Sequence, residues 1–431
     1  MSAIDLHDPT SAAYKKAKRQ YLNSTRNRKN TVELDWSPFR AAEKRFKARF
    51  PPPDLSGVLD LALLDDTRTP EIQAGIWKGS SDLDFRELRL ENSSNIKAYT
   101  TPRIPGLVLL PGFLSHEKQK ELVRWSLADH ARHPNETNLD IHYTLPDEGL
   151  WTACERARRD PCEEIWVQPR ASTSELQTAA AKEAPGPRQL VNNTPAAPDN
   201  FIELYNSPKP PSSPSTTVQP TLATALLPKL RWANIGWYYH WGTKQYDFTK
   251  GKGKIDDVLA DVCRGAVNVV NWNQVYGQSD TSDWGESGPE WKTWDKDYEP
   301  DAGIVNFYQT KDTLMAHVDR SEVCATSPLV SISLGNAAVF LIGGLTRDIE
   351  PVPILLRSGD VVIMSGPECR RAFHGVPRIL ENTLPDHLAA QLDEPQWAHF
   401  AEYMATTRIN INVRQVFPKG FEVPVKPDTG L

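Results

Sequence analysis

From residue 303 onward, apolar residues fall in runs of four to eight, several alternating with polar ones, and Gly, Asn, Asp or Ser separates the runs. That pattern predicts short β-strands. Strands are expected at 304–309, 314–319, 373–380 and 409–416. Residues 329–334 and 337–342 flank Gly335-Asn336, which predicts a hairpin with a two-residue turn. A second hairpin is expected at 354–357 and 361–365 around Ser358-Gly359-Asp360. One helix is expected within this region, at about 394–406, with Asp393 as N-cap and Pro395 in its first turn. Upstream, 39–49 reads as a helix broken by Pro51-Pro52-Pro53. Residues 104–113 read as a buried strand, and 115–128 as a helix capped by Ser115. Many short strands joined by turns indicate a double-sheet jelly roll or a barrel. The fold class is mainly β (α+β), with flanking helices.

Composition divides the 431 residues further. Residues 1–50 carry 12 Lys and Arg against 5 Asp and Glu, whereas the rest carry 37 against 50. A basic arm on an acidic body suits an anionic partner, although a solvated tail has the same composition. Lys15-Lys16-Ala17-Lys18-Arg19 has the form of a nuclear import signal. Residues 171–220 hold nine of the 35 prolines and show no periodicity. They predict a disordered Pro/Ser-rich insertion at about 168–225. Seven of the thirteen tryptophans lie between 230 and 294, and a Trp-rich insertion is expected at about 270–298. Such aromatics stack nucleobases or simply fill a core. The expected organisation is a basic, partly disordered extension over 1–100 and one domain over 101–431.

The longest apolar run, 337–342, is six residues, against about 20 for a membrane-spanning helix. The five cysteines form no C-x-x-C pair, so zinc-ribbon and thioredoxin-type motifs are absent. Scattered cysteines and no apolar signal core near the N-terminus lead to the expectation of an intracellular, reduced protein.

The candidate chemistry begins with His317-Val318-Asp319. On a strand, residues i and i+2 share a face, which puts an imidazole beside a carboxylate. A surface His–Asp pair has the same spelling. His374, on a later strand, would complete a 2-His-1-carboxylate triad with open positions for substrate and O2 on Fe(II). The strand at the end of the chain places Arg408, Asn410, Asn412 and Arg414 on one face and Ile409, Ile411 and Val413 on the other. The polar face either meets water or lines a pocket. In a pocket, two guanidinium forks suit a dicarboxylate such as 2-oxoglutarate.

Together, His317-x-Asp319, His374 and Arg408-x-Asn410-x-x-x-Arg414 resemble the AlkB family of Fe(II)/2-oxoglutarate dioxygenases in order and spacing. Gly343-Gly344-Leu345 matches that family too, and the phrases Val305-Asn306-Phe307-Tyr308, His317-Val318-Asp319-Arg320-Ser321-Glu322, Leu230-Arg231-Trp232 and Arg414-Gln415-Val416 resemble the eukaryotic AlkB homologue 1 branch most. The resemblance implies a jelly roll with a nucleotide-lid region. It implies that His317, Asp319 and His374 hold iron and are the catalytic residues. Arg408 would take the distal carboxylate of 2-oxoglutarate, Arg414 would lie near its chelating end, and Asn306, Tyr308 and Asn410 would add hydrogen bonds. Trp232 falls where bacterial members have a base-stacking Trp, and Arg370 where they have a substrate-contacting Arg. Ser321 departs from the bacterial pattern, which has an acidic residue there. The implied cofactors are Fe(II), 2-oxoglutarate and O2. The implied activity is demethylation of N-methylated bases in tRNA or DNA, as in DNA repair, with formaldehyde, succinate and CO2 released. The base would be flipped or single-stranded. The same motifs also serve dioxygenases acting on proteins such as histones, and a non-catalytic nucleic-acid-binding jelly roll would keep the fold. The nucleus, cytoplasm and mitochondrion are all compatible compartments.

Overall fold

The computed structural model describes residues 6–26, 36–82, 84–90, 96–160, 162–170, 194–277, 284 and 290–423. In chain order the strands of its two main sheets are β1 (Leu59–Asp60), β2 (Arg86–Leu88), β3 (Ala98–Thr100), β4 (Leu107–Leu110), β5 (Trp232–Gly236), β6 (Ala302–Gln309) and β7 (Leu314–His317). They continue with β8 (Leu329–Gly335), β9 (Ala338–Ile342), β10 (Val352–Leu356), β11 (Val361–Met364), β12 (His374–Ile379) and β13 (Thr407–Arg414). The large sheet runs β2-β3-β4-β11-β8-β13-β6-β5, and the small one β1-β10-β9-β12-β7. Only the β1–β10 pair is parallel among these. The chain repeatedly crosses from one sheet to the other, as in a jelly roll.

Both expected hairpins are corrected by that crossing. β8 pairs with β11 and β13 in the large sheet, while β9 pairs with β10 and β12 in the small one. β10 and β11 likewise lie in different sheets. The turn chemistry was legible and the partners were not. Every residue of β9 and β11 is buried, so neither run has an alternation that would fix its sheet. At the first corner Gly335 adopts φ +83°, where a Cβ would meet the Thr407 carbonyl oxygen at 2.8 Å. The Asn336 amide there donates to the carbonyls of Met404 and Thr407. At the second corner the buried Asp360 carboxylate accepts from Gly112 N and Arg357 N and pairs with Arg68.

Helices cover the outer faces. α1 (Ala12–Thr25) carries exposed basic residues and touches the body through Tyr14 and Tyr21 against Phe50. α2 (Pro38–Lys47) buries Phe39 and Phe46 against Val339, Leu341 and Leu355 of the small sheet. α3 (His116–Arg124), capped by Ser115 as expected, joins α4 (Leu150–Arg159), α5 (Asp257–Asn268) and α6 (Ala398–Met404) behind the large sheet. α6 and the 3-10 turn Pro395–Trp397 before it stand where one helix was expected. Ile409, Ile411 and Val413 of β13 face this helical layer.

Three boundaries are corrected. Residues 38–100 are not an extension, because α2, β1, β2 and β3 complete both sheets. Those strands are two or three residues long, too short for a period. Of the expected disordered insertion, 171–193 lies outside the described residues. Over 194–225, by contrast, the helix Phe201–Asn206 seats Phe201 and Tyr205 against Tyr246, Phe248 and Phe417. Of the expected Trp-rich insertion, 278–283 and 285–289 lie outside the described residues, and the rest is core: Trp272, Trp284, Trp291 and Trp294 pack around Tyr276 behind the large sheet.

Candidate active site

The chemistry lies between the sheets. β13 runs between β8 and β6, so its inward residues have cross-strand neighbours on both sides. Asn410 stands opposite Asn306 on β6, and Arg408 opposite Tyr308. Trp232 on β5 stands opposite Asn306. Arg408, Asn410, Tyr308 and Arg414 are buried and Asn306 and Asn412 are half-buried, so most of the polar face of β13 is withdrawn from water.

The small sheet supplies the facing wall. β7 and β12 pair with His317 opposite His374, and the two rings lie 4.4 Å apart. Asp319 follows two residues after His317. Ligand atoms of His317, Asp319 and His374 lie within 4.8 Å of one another. The tautomers follow from the partners of each Nδ1. Nδ1 of His317 lies 3.0 Å from the Met315 carbonyl oxygen, and Nδ1 of His374 lies 3.0 Å from that of Ala372. A carbonyl only accepts, so each Nδ1 carries the proton and each Nε2 presents a lone pair. Burial, reinforced by the neighbouring His317, pushes His374 down to about 4, which keeps it neutral near pH 7. Burial alone would raise the Asp319 carboxyl, but Arg414, both imidazoles and Arg370 outweigh it and hold it below the usual carboxylate range. Two neutral imidazoles and one carboxylate brought together are the donor set that suits Fe(II) with open positions.

Arg408 is the second feature. It is 1% exposed. Its Nη2 donates to Ser333 Oγ at 2.8 Å, its Nη1 reaches the Asn336 carbonyl at 3.4 Å, and its Nε has no hydrogen-bond partner. Burial pulls it down to about 10, still far above neutral pH. Among the described residues no carboxylate lies within ion-pair distance of it. A buried cation without an anion is costly, and a carboxylate entering between the sheets would complete it.

Arg414 and Arg370 form a third group. Arg414 Nη1 lies 2.8 Å from Glu322 Oε1 and 3.4 Å from Asp319 Oδ2. Arg370, 1% exposed, donates through Nε to the Ser327 carbonyl at 3.0 Å. Its other nitrogens lie 3.7 Å from Glu322 and 3.9 Å from Asp319. The residue expected at the substrate therefore has the metal-side carboxylates as neighbours. Trp232 lies at the open edge, stacked on Trp241 at 4.8 Å, with Tyr239 edge-on to Trp241 at 5.0 Å.

Sequence reasoning assigned no part to Glu322, Ser333 or Glu43. Glu322 sits in a segment with no regular element, where no period exposes its direction. Ser333 could have been found from the parity of β8, since it stands opposite Asn410. Glu43, buried on α2, accepts from Ala316 N at 2.6 Å and so fixes the strand that carries His317.

The sequence model of the 2OG-Fe(II) oxygenase superfamily matches residues 196–414, which include every residue named above for this site except Glu43. The chain is 29% identical over 401 residues to the DNA N(6)-methyladenine demethylase ALKBH1A of Arabidopsis thaliana, spanning 89% of this chain and 97% of that protein. It is 28% identical over 390 residues to the tRNA demethylase abh1 of Schizosaccharomyces pombe, spanning 88% and 96%. It is 28% identical over 407 residues to the nucleic acid dioxygenase ALKBH1 of Homo sapiens, spanning 87% and 82%.

Proposed function

The chain belongs to the 2OG-Fe(II) oxygenase superfamily as an AlkB-family, ALKBH1-like member, and from that premise we propose that it oxidatively demethylates N-methylated nucleobases in tRNA or DNA. Its cofactors are Fe(II), 2-oxoglutarate and O2. The observation that carries the reading is the convergence of His317, Asp319 and His374, whose ligand atoms lie within 4.8 Å of one another, together with a buried Arg408 that forms no ion pair among the described residues.

His317 and His374 would hold iron through Nε2, and Asp319 through its carboxylate. Arg408 would bind the distal carboxylate of 2-oxoglutarate, with Ser333 holding the guanidinium in place. Arg414 would face the chelating end while its pairing with Glu322 and Asp319 keeps the iron-binding carboxylate oriented. Tyr308 and Asn306 would offer hydrogen bonds to the cosubstrate, whereas Asn410 is already engaged, its Nδ2 donating to Ser331 Oγ and the Ile332 carbonyl and its Oδ1 accepting from Asn412. The loaded centre supplies oxidation of an N-methyl carbon, after which the N-hydroxymethyl group is lost as formaldehyde. Trp232 offers an aromatic face to a base drawn out of its stack, since a paired base cannot reach a site between two sheets. The aromatic segment from Trp232 to Tyr246 would serve as the nucleotide lid. Lys15, Lys16, Lys18 and Arg19 are exposed on α1, as an import signal must be, which supports a nuclear fraction.

The test is an aerobic reaction with Fe(II), 2-oxoglutarate and ascorbate on bulk tRNA and on methylated DNA oligonucleotides, followed by nucleoside mass spectrometry. Loss of a methylated base with the unaltered protein, and none with His317→Ala, is expected. Succinate formation without methyl loss from either nucleic acid overturns the substrate assignment.

A further inference from the structure

A concavity lies along β5, the strand that carries Trp232. It is a cleft of about 670 Å3, lined by Asn234 and Gly236 of β5 and by Tyr238, Arg132, Lys250 and Lys252. Asn234 and Gly236 lie two and four residues beyond Trp232, so they share its face of the strand. At a rise of about 3.3 Å per residue the cleft extends from about 7 to about 13 Å along β5 from Trp232.

Its cations share the cleft with Glu136, Asp140 and Asp147 but form no ion pair with them among the described residues. Arg132, Arg170, Lys250 and Lys252 line the cleft and are exposed. Arg132 Nε donates to the Asp129 carbonyl, and Arg170 Nη1 to that of Asp140. Lys250 Nζ lies 3.4 Å above the Tyr238 ring. Among the described residues none of the four forms an ion pair, whereas Lys254 next to them reaches Asp256 at 3.6 Å. Of the cleft's carboxylates, Asp140 is engaged by Thr137 through both N and Oγ1 at 2.7 Å. Burial raises the Glu136 carboxyl against the opposing pull of the Tyr238 hydroxyl and Lys250, and Asp147 is exposed. The lysines are carried on Lys250-Gly251-Lys252-Gly253-Lys254. This loop is not a loose tail: Gly253 N donates to Gly236 O at 3.0 Å, Lys252 bridges Trp237, and Gly251 makes the turn at φ +78°. Outside its first 50 residues the chain is acidic, so four cations without an ion pair among the described residues, two of them on a loop pinned to β5, form a local exception.

We infer that this cleft binds the phosphodiester backbone on one side of the nucleotide held at Trp232, with Lys250, Lys252, Arg132 and Arg170 as phosphate contacts. The inference rests on the nucleic-acid reading above and names the surface along which the strand runs.

The test follows the anisotropy of a labelled single-stranded oligonucleotide against salt concentration, using the full chain. The triple variant Arg132→Ala/Lys250→Ala/Lys252→Ala removes three exposed cations. Each phosphate-binding cation removed lowers the slope of log K against log salt by about 0.7, so a fall of about 2 is expected, with affinity near 50 mM salt at least about tenfold weaker. Lys250→Arg/Lys252→Arg keeps the slope. On the unaltered protein, Lys250 and Lys252 become protected from amine acetylation when the oligonucleotide is bound. An unchanged slope in the triple variant, or lysines that stay reactive in the complex, overturns the inference. If the unaltered protein removes methyl groups while the triple variant keeps its slope, the cleft assignment falls alone. If the unaltered protein neither binds nor demethylates nucleic acid, the demethylase reading falls and the cleft assignment with it.

Discussion

Arg414 holds Asp319 at a distance of 3.4 Å from the last residue of β13. The same nitrogen lies 2.8 Å from Glu322, so one guanidinium ties the strand of the cosubstrate face to the loop of the iron-binding carboxylate. Removing a member of a buried ion cluster leaves the others uncompensated, at a cost of about 3–5 kcal/mol. Glu322→Ala is therefore expected to lower the urea midpoint by that order. It should also weaken iron binding by about 10- to 100-fold, because Asp319 alone then faces both Arg370 and Arg414. A lower midpoint with unchanged iron affinity would assign Glu322 a purely structural part.

Arg408 predicts an opposite pattern. Without an anion its buried charge contributes nothing to folding, so Arg408→Met should leave the stability of the metal-free protein unchanged or higher. Binding of 2-oxoglutarate should fall by at least about 30-fold, the loss of roughly 2 kcal/mol from a buried charge-assisted pair. Calorimetric titration with 2-oxoglutarate reads the second effect and thermal unfolding the first. A variant that unfolds early yet keeps its affinity would remove Arg408 from the cosubstrate site.

Glu43 lies far from the motifs in sequence, yet Oε1 accepts from the backbone of Ala316, the residue before His317. Glu43→Ala leaves that buried N–H without a partner, at a cost of about 1–3 kcal/mol. The expected result is a lower unfolding free energy by urea titration and looser iron binding, with 2-oxoglutarate affinity less affected.

These three cases also mark where the sequence was legible. Arg408, Asn410 and Arg414 could be read because strand parity turns spacing into direction, whereas the strand expected over 314–319 ends at His317, and Asp319 reaches the same place from the irregular segment after it. The partner of each strand could not, since β9 and β11 are apolar on both faces and carry no alternation. β1 to β3 were too short for any period. Glu322 and Glu43 act across the fold, through contacts 92 and 273 residues apart in sequence, and no local pattern announces such a pair.

His130 sets a pH dependence. It stacks on Trp125, its Nε2 donates to the Asn234 carbonyl at 2.9 Å, and its Nδ1 accepts from Asn135 at 3.3 Å. This arrangement suits only the neutral ring, and burial pushes its pKa from 6.5 down to about 4. Between those values the unfolded chain holds a proton that the folded protein does not. Stability from this group is therefore present above 6.5 and is lost as pH falls toward 4, by up to about 1.4 kcal/mol per pH unit. His130→Gln should remove one proton from the pH slope of the unfolding free energy in that window. An unchanged slope would show that His130 is not held neutral.

Trp232 separates base binding from iron chemistry. One face of its indole is covered by Trp241, and the residue stands opposite Asn306 at the edge of the cosubstrate face. It touches none of the candidate iron ligands in any ring contact or hydrogen bond among the described residues. If a flipped base stacks there, Trp232→Ala should cost about 1–3 kcal/mol of substrate binding, or roughly 5- to 150-fold in kcat/KM for methylated oligonucleotides. Affinity for iron and for 2-oxoglutarate should hold. Trp232→Phe should recover part of the loss, because a smaller ring still stacks. Equal activity of the Ala and unaltered proteins would move the base to another part of the aromatic segment, whereas loss of 2-oxoglutarate binding would show that Trp232 acts on the cosubstrate pocket through Asn306.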